Sequence, residues 1–189
     1  MNKKQLIVMS ILLSLMLILA IAQRFFKQEF EQVVLMDQGI SDFKDYEFEA
    51  GKYTISLPSE WIVEEKKSEG QYVSYKLSFK DKDNKLNGLM EVINTKGDLG
   101  VFAETDLNNQ YLEYYNSEIM PFKNSSNSGV LVQYDTSIKN GYNFKNQCYY
   151  LNLEDDETIK ILFNLKESSY NKNMSTLFNT IISSIKTFS

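Results

Sequence analysis

The chain contains no histidine, and its 189 residues include one cysteine, two prolines and, at position 24, a single arginine. Each shortage removes a class of chemistry. Without histidine there is no Ser-His or Cys-His nucleophile pair, no HExxH zinc site and no ordinary general base near neutrality. With Arg24 as the sole guanidinium, bidentate recognition of phosphate or guanine has almost no material. The balance of 20 Lys+Arg against 25 Asp+Glu leaves no basic face for a nucleic acid. Cys148 cannot close an internal disulfide, so a disulfide-stapled fold is excluded; set among aromatic residues in 144–150, it reads as a buried strand residue. What is present is core-forming material, since 43% of the residues are hydrophobic, as in chains that fold around an interior.

The largest departure from ordinary composition is at the start. Leu6–Ala22 (LIVMSILLSLMLILAIA) carries no charge, follows Lys3 and Lys4 and precedes Arg24 and Lys27, the layout of a signal anchor or of a cleavable signal peptide. At about 1.5 Å per residue the run reaches about 25 Å, short of the roughly 30 Å hydrocarbon core. Continuing the helix to Phe26, with Arg24 stretching to the interface, closes that gap. Residues 1–26 are therefore expected to be a transmembrane signal anchor. The amino terminus, Lys3 and Lys4 outweigh Arg24 and Lys27, which places the N-terminus inside. The alternative is cleavage after Ala22, at the small-x-small sequence Ala20-Ile21-Ala22, giving a secreted protein. Either way the bulk of the chain is expected outside the cytoplasm, at the cell membrane. The use of lysine almost to the exclusion of arginine, with abundant Asn and Ile, favours a bacterial envelope.

Residues 27–45 read as a juxtamembrane stalk and linker. Ala22, Phe26, Phe30, Val33 and Val34 fall at helical spacing, and Asp37–Asp45 follows without pattern. From Tyr46 to the end at 189 the sequence reads as one α+β domain, an antiparallel sheet flanked by helices. Tyr46, Phe48 and Ala50, then Tyr53, Ile55 and Leu57, alternate with polar residues about a Gly51-Lys52 turn, and Pro58 ends the second strand. Val73–Phe79 is the clearest alternation in the chain, with Leu86–Asn94 returning beside it. Between Gly97 and Glu118 the spacing of Leu99, Phe102, Ala103, Leu107, Tyr111, Tyr114 and Tyr115 predicts a helix, with Asp98 as its N-cap. Pro121 and 123–129 are expected to form a loop. Val130–Thr136, an Asn140-Gly141 hairpin, Tyr142–Leu153 and Thr158–Leu165 make a meander of three strands. Met174, Leu177, Phe178, Ile181, Ile182 and Ile185 then give a terminal helix over 173–188 one apolar face that must pack on the sheet.

No catalytic, metal or cofactor residue is assigned by these patterns. Glu154–Glu157 reads as a solvated turn, because consecutive carboxylates diverge whereas calcium needs converging oxygens. The run Asp81–Gly88 has its glycine two positions late for a calcium loop, and Val92 stands where the closing glutamate belongs. Carboxylate pairs are plentiful, but spacing selects none of them. The 12 tyrosines and 12 phenylalanines are more distinctive. Tyr111, Tyr114 and Tyr115 on one helix and Tyr149 and Tyr150 in one strand are candidates for lining a partner groove, each offering apolar area with a polar tip; the alternative is that they bridge core and surface.

Tyr53-Thr-Ile-Ser-Leu-Pro-Ser-Glu-Trp61, a strand followed by Leu-Pro-x-x-Trp, resembles the opening of PsbP-like domains. Phe178–Phe188 (FNTIISSIKTF) resembles their closing helix. The resemblance covers roughly 46–189 and implies an α/β/α sandwich around an antiparallel sheet, a fold used for docking onto larger assemblies. Photosynthetic members bind the oxygen-evolving complex, and others carry histidine metal sites; without histidine that metal role does not transfer, and there is no family catalytic residue to carry over. The expectation is thus a membrane-anchored binding or assembly module with a protein partner in the envelope and no cofactor. The alternatives are a secreted small-ligand carrier and a hydrolase using a carboxylate pair.

Overall fold

The computed structural model describes residues 3–37, 39–67, 72–95, 97–138, 141–153 and 157–187, and the chain divides into two units, Met1–Ser41 and Asp42–Ser189. The first is built on α1 (Lys3–Asp37), one helix of 35 residues. Its apolar side chains between Ile7 and Ile21 are all exposed, from 48% at Ile21 to 71% at Met16. Among the described residues no helix is long and apolar enough to cross a membrane. The helix ends in a Schellman closure: the Ile40 N–H donates to the Leu35 carbonyl and the Gly39 N–H to that of Met36, both at 2.9 Å. Gly39 takes φ +70°, which a Cβ would strain. The patternless stretch read as linker is therefore helical up to Asp37, and the next strand begins inside it at Phe43. The side chains of residues 24–32 and of Val34, on which a packed stalk would depend, lie outside the described ones.

The second unit holds two antiparallel sheets. In the smaller, β1 (Phe43–Phe48), β2 (Tyr53–Pro58) and a short C-terminal β10 (Lys186–Thr187) lie in the order β1-β2-β10. The turn between the first two strands puts Glu49, Ala50 and Gly51 at positive φ, so Ala50 belongs to the turn and not to the strand. The larger sheet has seven strands: β3 (Ile62–Lys66), β4 (Val73–Lys80), β5 (Leu86–Asn94), β6 (Tyr114–Lys123), β7 (Ser128–Ile138), β8 (Tyr142–Asn152) and β9 (Glu157–Lys166). Their order is β3-β4-β5-β9-β8-β7-β6, so β9 inserts between two hairpins and becomes the centre.

Alternation along the strands gives this sheet two different faces. On one lie Leu77 and Phe79, Met90 and Val92, Ile159, Ile161 and Phe163, then Tyr149 and Leu151, placed opposite one another by the register. This is the main core, and α3 (Met174–Ser183) covers it with Leu177, Phe178, Ile181 and Ile182, all buried. At its centre Phe163 stacks on Phe178 at 4.1 Å and meets Phe79 and Tyr149 at 5.7 and 6.0 Å, while Trp61 stacks on the far side of Phe79 at 5.5 Å. On the other face, α2 (Leu99–Asn108) buries Ala103 and Leu107 against Val132, Tyr134, Cys148 and Tyr150. The Asp98 carboxylate caps α2 by accepting from the Val101 N–H at 2.9 Å.

Three expectations need correction. The helix predicted to run from Gly97 to Glu118 stops at Asn108, and Tyr114 and Tyr115 open β6 instead. Helical spacing is a local signal, and pairing with the long β7 overrides it once Asn108 and Asn109 weaken the helix. Pro121, expected in a loop, lies within β6 opposite Val130; β6 is an edge strand, the position in a sheet where proline is tolerated. The terminal helix is also shorter than predicted. After Ser183 the Ser184 hydroxyl accepts from the Ser56 N–H at 2.9 Å, and Lys186 and Thr187 pair with Thr54 and Tyr53 as β10. Phe188 and Asn140 lie outside the described residues. The hairpin expected at Asn140-Gly141 does join β7 to β8, with Gly141 at φ +112°.

Candidate binding site

The five candidate tyrosines do not line one groove. Tyr111 is fully exposed after α2, and Tyr115 is exposed on β6. Tyr114 meets Tyr134 edge to face at 6.2 Å and its hydroxyl donates to Asn108 Oδ1 at 2.6 Å. Tyr149 and Tyr150 are both buried but, as neighbours in a strand, they point to opposite faces. Tyr149 joins the α3 face and donates to Gln147 Oε1 at 3.1 Å, whereas Tyr150 lies under α2 and donates to Asp106 Oδ2 at 2.6 Å. Burial, the largest cause in both, raises the two phenols well above the ordinary tyrosine range.

Tyr150 belongs to a cross-strand row on the α2 face. Lys76, Glu91, Lys160 and Tyr150 stand side by side on β4, β5, β9 and β8. Lys76 pairs with Glu91 at 3.0 Å, and Lys160 with Asp106 of α2 at 2.7 Å and with Glu91 at 3.8 Å. The alternation of sign explains how these groups tolerate a half-buried surface. It also spends Glu91 and Asp106 on Lys160 instead of leaving them facing one another across a cleft. Beside the row, burial pushes the Cys148 thiol up to about 12, so it stays protonated and unreactive.

The acidic stretches that resemble calcium loops have other partners. Residues 154–156 lie outside the described ones, and Glu157 accepts from the Tyr53 hydroxyl at 2.7 Å and from Lys52 Nζ at 3.0 Å. In the loop after β4, Asp81 Oδ1 accepts from the Leu86 N–H at 2.9 Å, while Lys82 pairs with Glu60 and Lys85 with Asp83, both at 2.8 Å. Among the described residues no three His, Cys, Asp or Glu side chains are grouped for a metal ion.

Pattern reading missed a polar pocket of about 240 Å³ at the end of the α3 face, where β7 and β8 run on past the aromatic core. Two cross-strand pairs form its floor, Gln133 opposite Gln147 and Asp135 opposite Lys145. Asp135 and Gln147 are 6% and 4% exposed, unusual burial for such groups unless they are partnered. Asp135 Oδ2 accepts from Lys145 Nζ at 2.8 Å and from Asn116 Nδ2 at 3.0 Å. Gln147 Nε2 donates to the Tyr170 hydroxyl at 3.2 Å. Asn116 reaches the floor because β6 bulges between Tyr115 and Glu118 and holds Asn116 at φ +51°, the way a bulge re-aims a side chain. Tyr170 arrives from the other side, just after a 3-10 turn (Glu167–Ser169) whose Glu167 stands 3.6 Å from Lys145. The Asp135 carboxylate, as the largest influence, raises the Lys145 ammonium above the usual lysine range. The only sequence signal was a run of polar residues on the inward phase of two strands that otherwise bury apolar ones. A second depression, of about 270 Å³ by Ile62, Ser78 and Lys80 of the outer strands, includes an exposed Glu64–Lys66 pair and none of the buried polar side chains.

The described residues thus form an antiparallel seven-stranded sheet with a helix on each face and a small three-stranded sheet beside it, a PsbP-like fold. The chain is similar to the solution structure of the cyanobacterial PsbP (CyanoP) from Synechocystis sp. PCC 6803, with a TM-score of 0.56 and 13% identity over 79% of this chain and 94% of that one. At that identity the likeness shows the fold alone. No family model and no curated protein matches the chain.

Proposed function

We propose that the protein is a membrane-anchored extracytoplasmic module that binds and assembles and does not catalyse, with α1 as the tether and the sheet unit as the recognising body. The observation that supports this reading is the division of the chain. The second unit buries an extensive apolar core, whereas α1 turns its apolar side chains from Ile7 to Ile21 outward on every side. A helix apolar all round is stable where lipid or another protein surrounds it. The described side chains fall short of a full span, and the sequence adds Leu6 before them and Phe26 after, along a backbone helical throughout. The PsbP-like fold, which the resemblance associates with docking onto assemblies, fits a partner protein in the envelope. Glu91 and Asp106, both bound to Lys160, speak against a carboxylate-pair hydrolase.

The test is expression of the full chain with a C-terminal tag in a bacterium, followed by alkaline extraction of membranes, protease treatment of spheroplasts and crosslinking. An anchored module stays in the membrane pellet with residue 1 or 2 as its N-terminus, loses its tag to external protease, and crosslinks stoichiometrically to one protein. Release with a new N-terminus at Gln23 overturns the anchor and makes the protein a secreted carrier.

A further inference from the structure

We propose that the pocket between β7, β8, the β6 bulge and Tyr170 is a binding site for a neutral polyhydroxylated ligand, one sugar unit of a glycan. The inference rests on the reading of the sheet unit as a recognition module and gives that module a ligand class. Three observations converge on it.

The first is charge. The buried carboxylate of Asp135 is matched inside the pocket by Lys145 at 2.8 Å, and Glu167 stands 3.6 Å from the same ammonium. An anion would meet two carboxylates, and a cation or zwitterion would have to break an existing pair, so the floor favours a neutral guest. The second is the kind of hydrogen bond on offer. Asn116 and Gln133 bring amides to the lining, each with donor and acceptor atoms, beside the Asp135 carboxylate, the Lys145 ammonium and the Tyr170 phenol, while Gln147, tied to Tyr149 and Tyr170, fixes the floor. Each sugar hydroxyl donates once and accepts twice, so such a lining answers a diol from both sides. The third is strain and size. Asn116 is held in the left-handed region, which a side-chain-bearing residue occupies at a cost, and its amide is thereby aimed at the pocket floor. The volume of about 240 Å³ is below the range of about 300–1,000 Å³ for drug-sized ligands and suits a single ring.

The experiment is titration calorimetry on the full chain in detergent with chitotriose, cellotriose and maltotriose, and with glycylglycine and inorganic phosphate as charged controls. Saturable binding of at least one saccharide, with none of the controls, is expected. Chitotriose alone would point to a cell-wall glycan and maltotriose alone to a soluble nutrient sugar. Asn116→Gly removes the amide and relieves the positive φ, which offsets part of the hydrogen bond lost to Asp135, so the protein should still fold with a somewhat lower unfolding midpoint while binding weakens about tenfold, the effect of one lost hydrogen bond. Gln147→Glu, which adds a charge to the floor, should weaken it further. Absence of saccharide binding, preference for phosphate or the dipeptide, or affinity unchanged in both variants overturns the assignment. A crosslinked protein partner without saccharide binding would leave the module reading standing and this inference refuted.

Discussion

Gly88 has a directly testable role in the core. It lies on β5 opposite Phe79, whose ring folds over it so closely that an added Cβ would lie 1.9 Å from Cε2 and 2.1 Å from Cζ. A free ring would swing away, but this one is 2% exposed and held by Trp61 at 5.5 Å on one side and Phe163 at 5.7 Å on the other. In Gly88→Ala the ring must leave both neighbours. Each aromatic pair is worth about 0.5–1.5 kcal/mol, and overpacking adds about 1–3 kcal/mol. The lower entropy of alanine in the unfolded chain returns about 0.5–1 kcal/mol. At the middle of each range the net loss is about 3 kcal/mol, which at a urea dependence of about 2 kcal/mol per molar lowers the midpoint by about 1.5 M. Trp61 is the only tryptophan and stacks on the displaced ring, so its fluorescence follows both the local change and the unfolding. Phe79→Leu removes the obstructing ring edge, and the double variant should be less destabilised than the sum of the singles by at least about 1 kcal/mol. A Gly88→Ala protein with the parental midpoint, or strict additivity in the cycle, would refute the account.

Lys160→Ala leaves Asp106 and Glu91 without a shared cation, but Lys76 still holds Glu91, Tyr150 still donates to Asp106, and the Asp106 side chain is 34% exposed. The loss should therefore be about 2 kcal/mol, below the roughly 3–5 kcal/mol of a fully buried broken pair, and Lys160→Met should recover part of it through stem packing; urea unfolding of the two variants decides. At alkaline pH, the Cys148 thiol ionises near 9.0 when free and at about 12 in the fold because of burial. The folded state holds that proton more tightly, so the stability it contributes is complete below pH 9.0 and is lost as pH rises through about 12. Tyr134, Tyr149 and Tyr150, raised in the same direction by burial, add to the decline. A urea midpoint that falls above pH 9.0, with the tyrosinate absorbance of these three appearing only on unfolding, is expected; a flat midpoint, or early titration in the folded protein, contradicts the burial described.

The residues themselves determined whatever depends on near neighbours along the chain. The two-residue period of Val73–Phe79 and the three-and-four spacing of Leu177, Phe178, Ile181 and Ile182 made β4 and α3 legible, because a strand or helix buries one face whatever it packs against. Pro58 and Gly141 marked the end of β2 and the β7–β8 hairpin for backbone reasons equally local. The Leu-Pro-x-x-Trp resemblance and the tertiary structure agree on a PsbP-like fold. The stop of α2 at Asn108 and the assignment of Tyr114 and Tyr115 to β6 were decided by pairing with β7, which no local window contains. Insertion of β9 beside β5 brought Phe163 to Gly88 across a gap in sequence that no periodicity spans. The pocket is of the same kind. Asp135, Lys145 and Gln147 could be read as inward-facing polar residues, but their convergence with Asn116 and Tyr170 needed a β-bulge on one neighbour and a 3-10 turn on another. Hydrophobic pattern fixes which face of a strand is inside, whereas register and bulges, set by packing across the whole sheet, fix which side chains meet there.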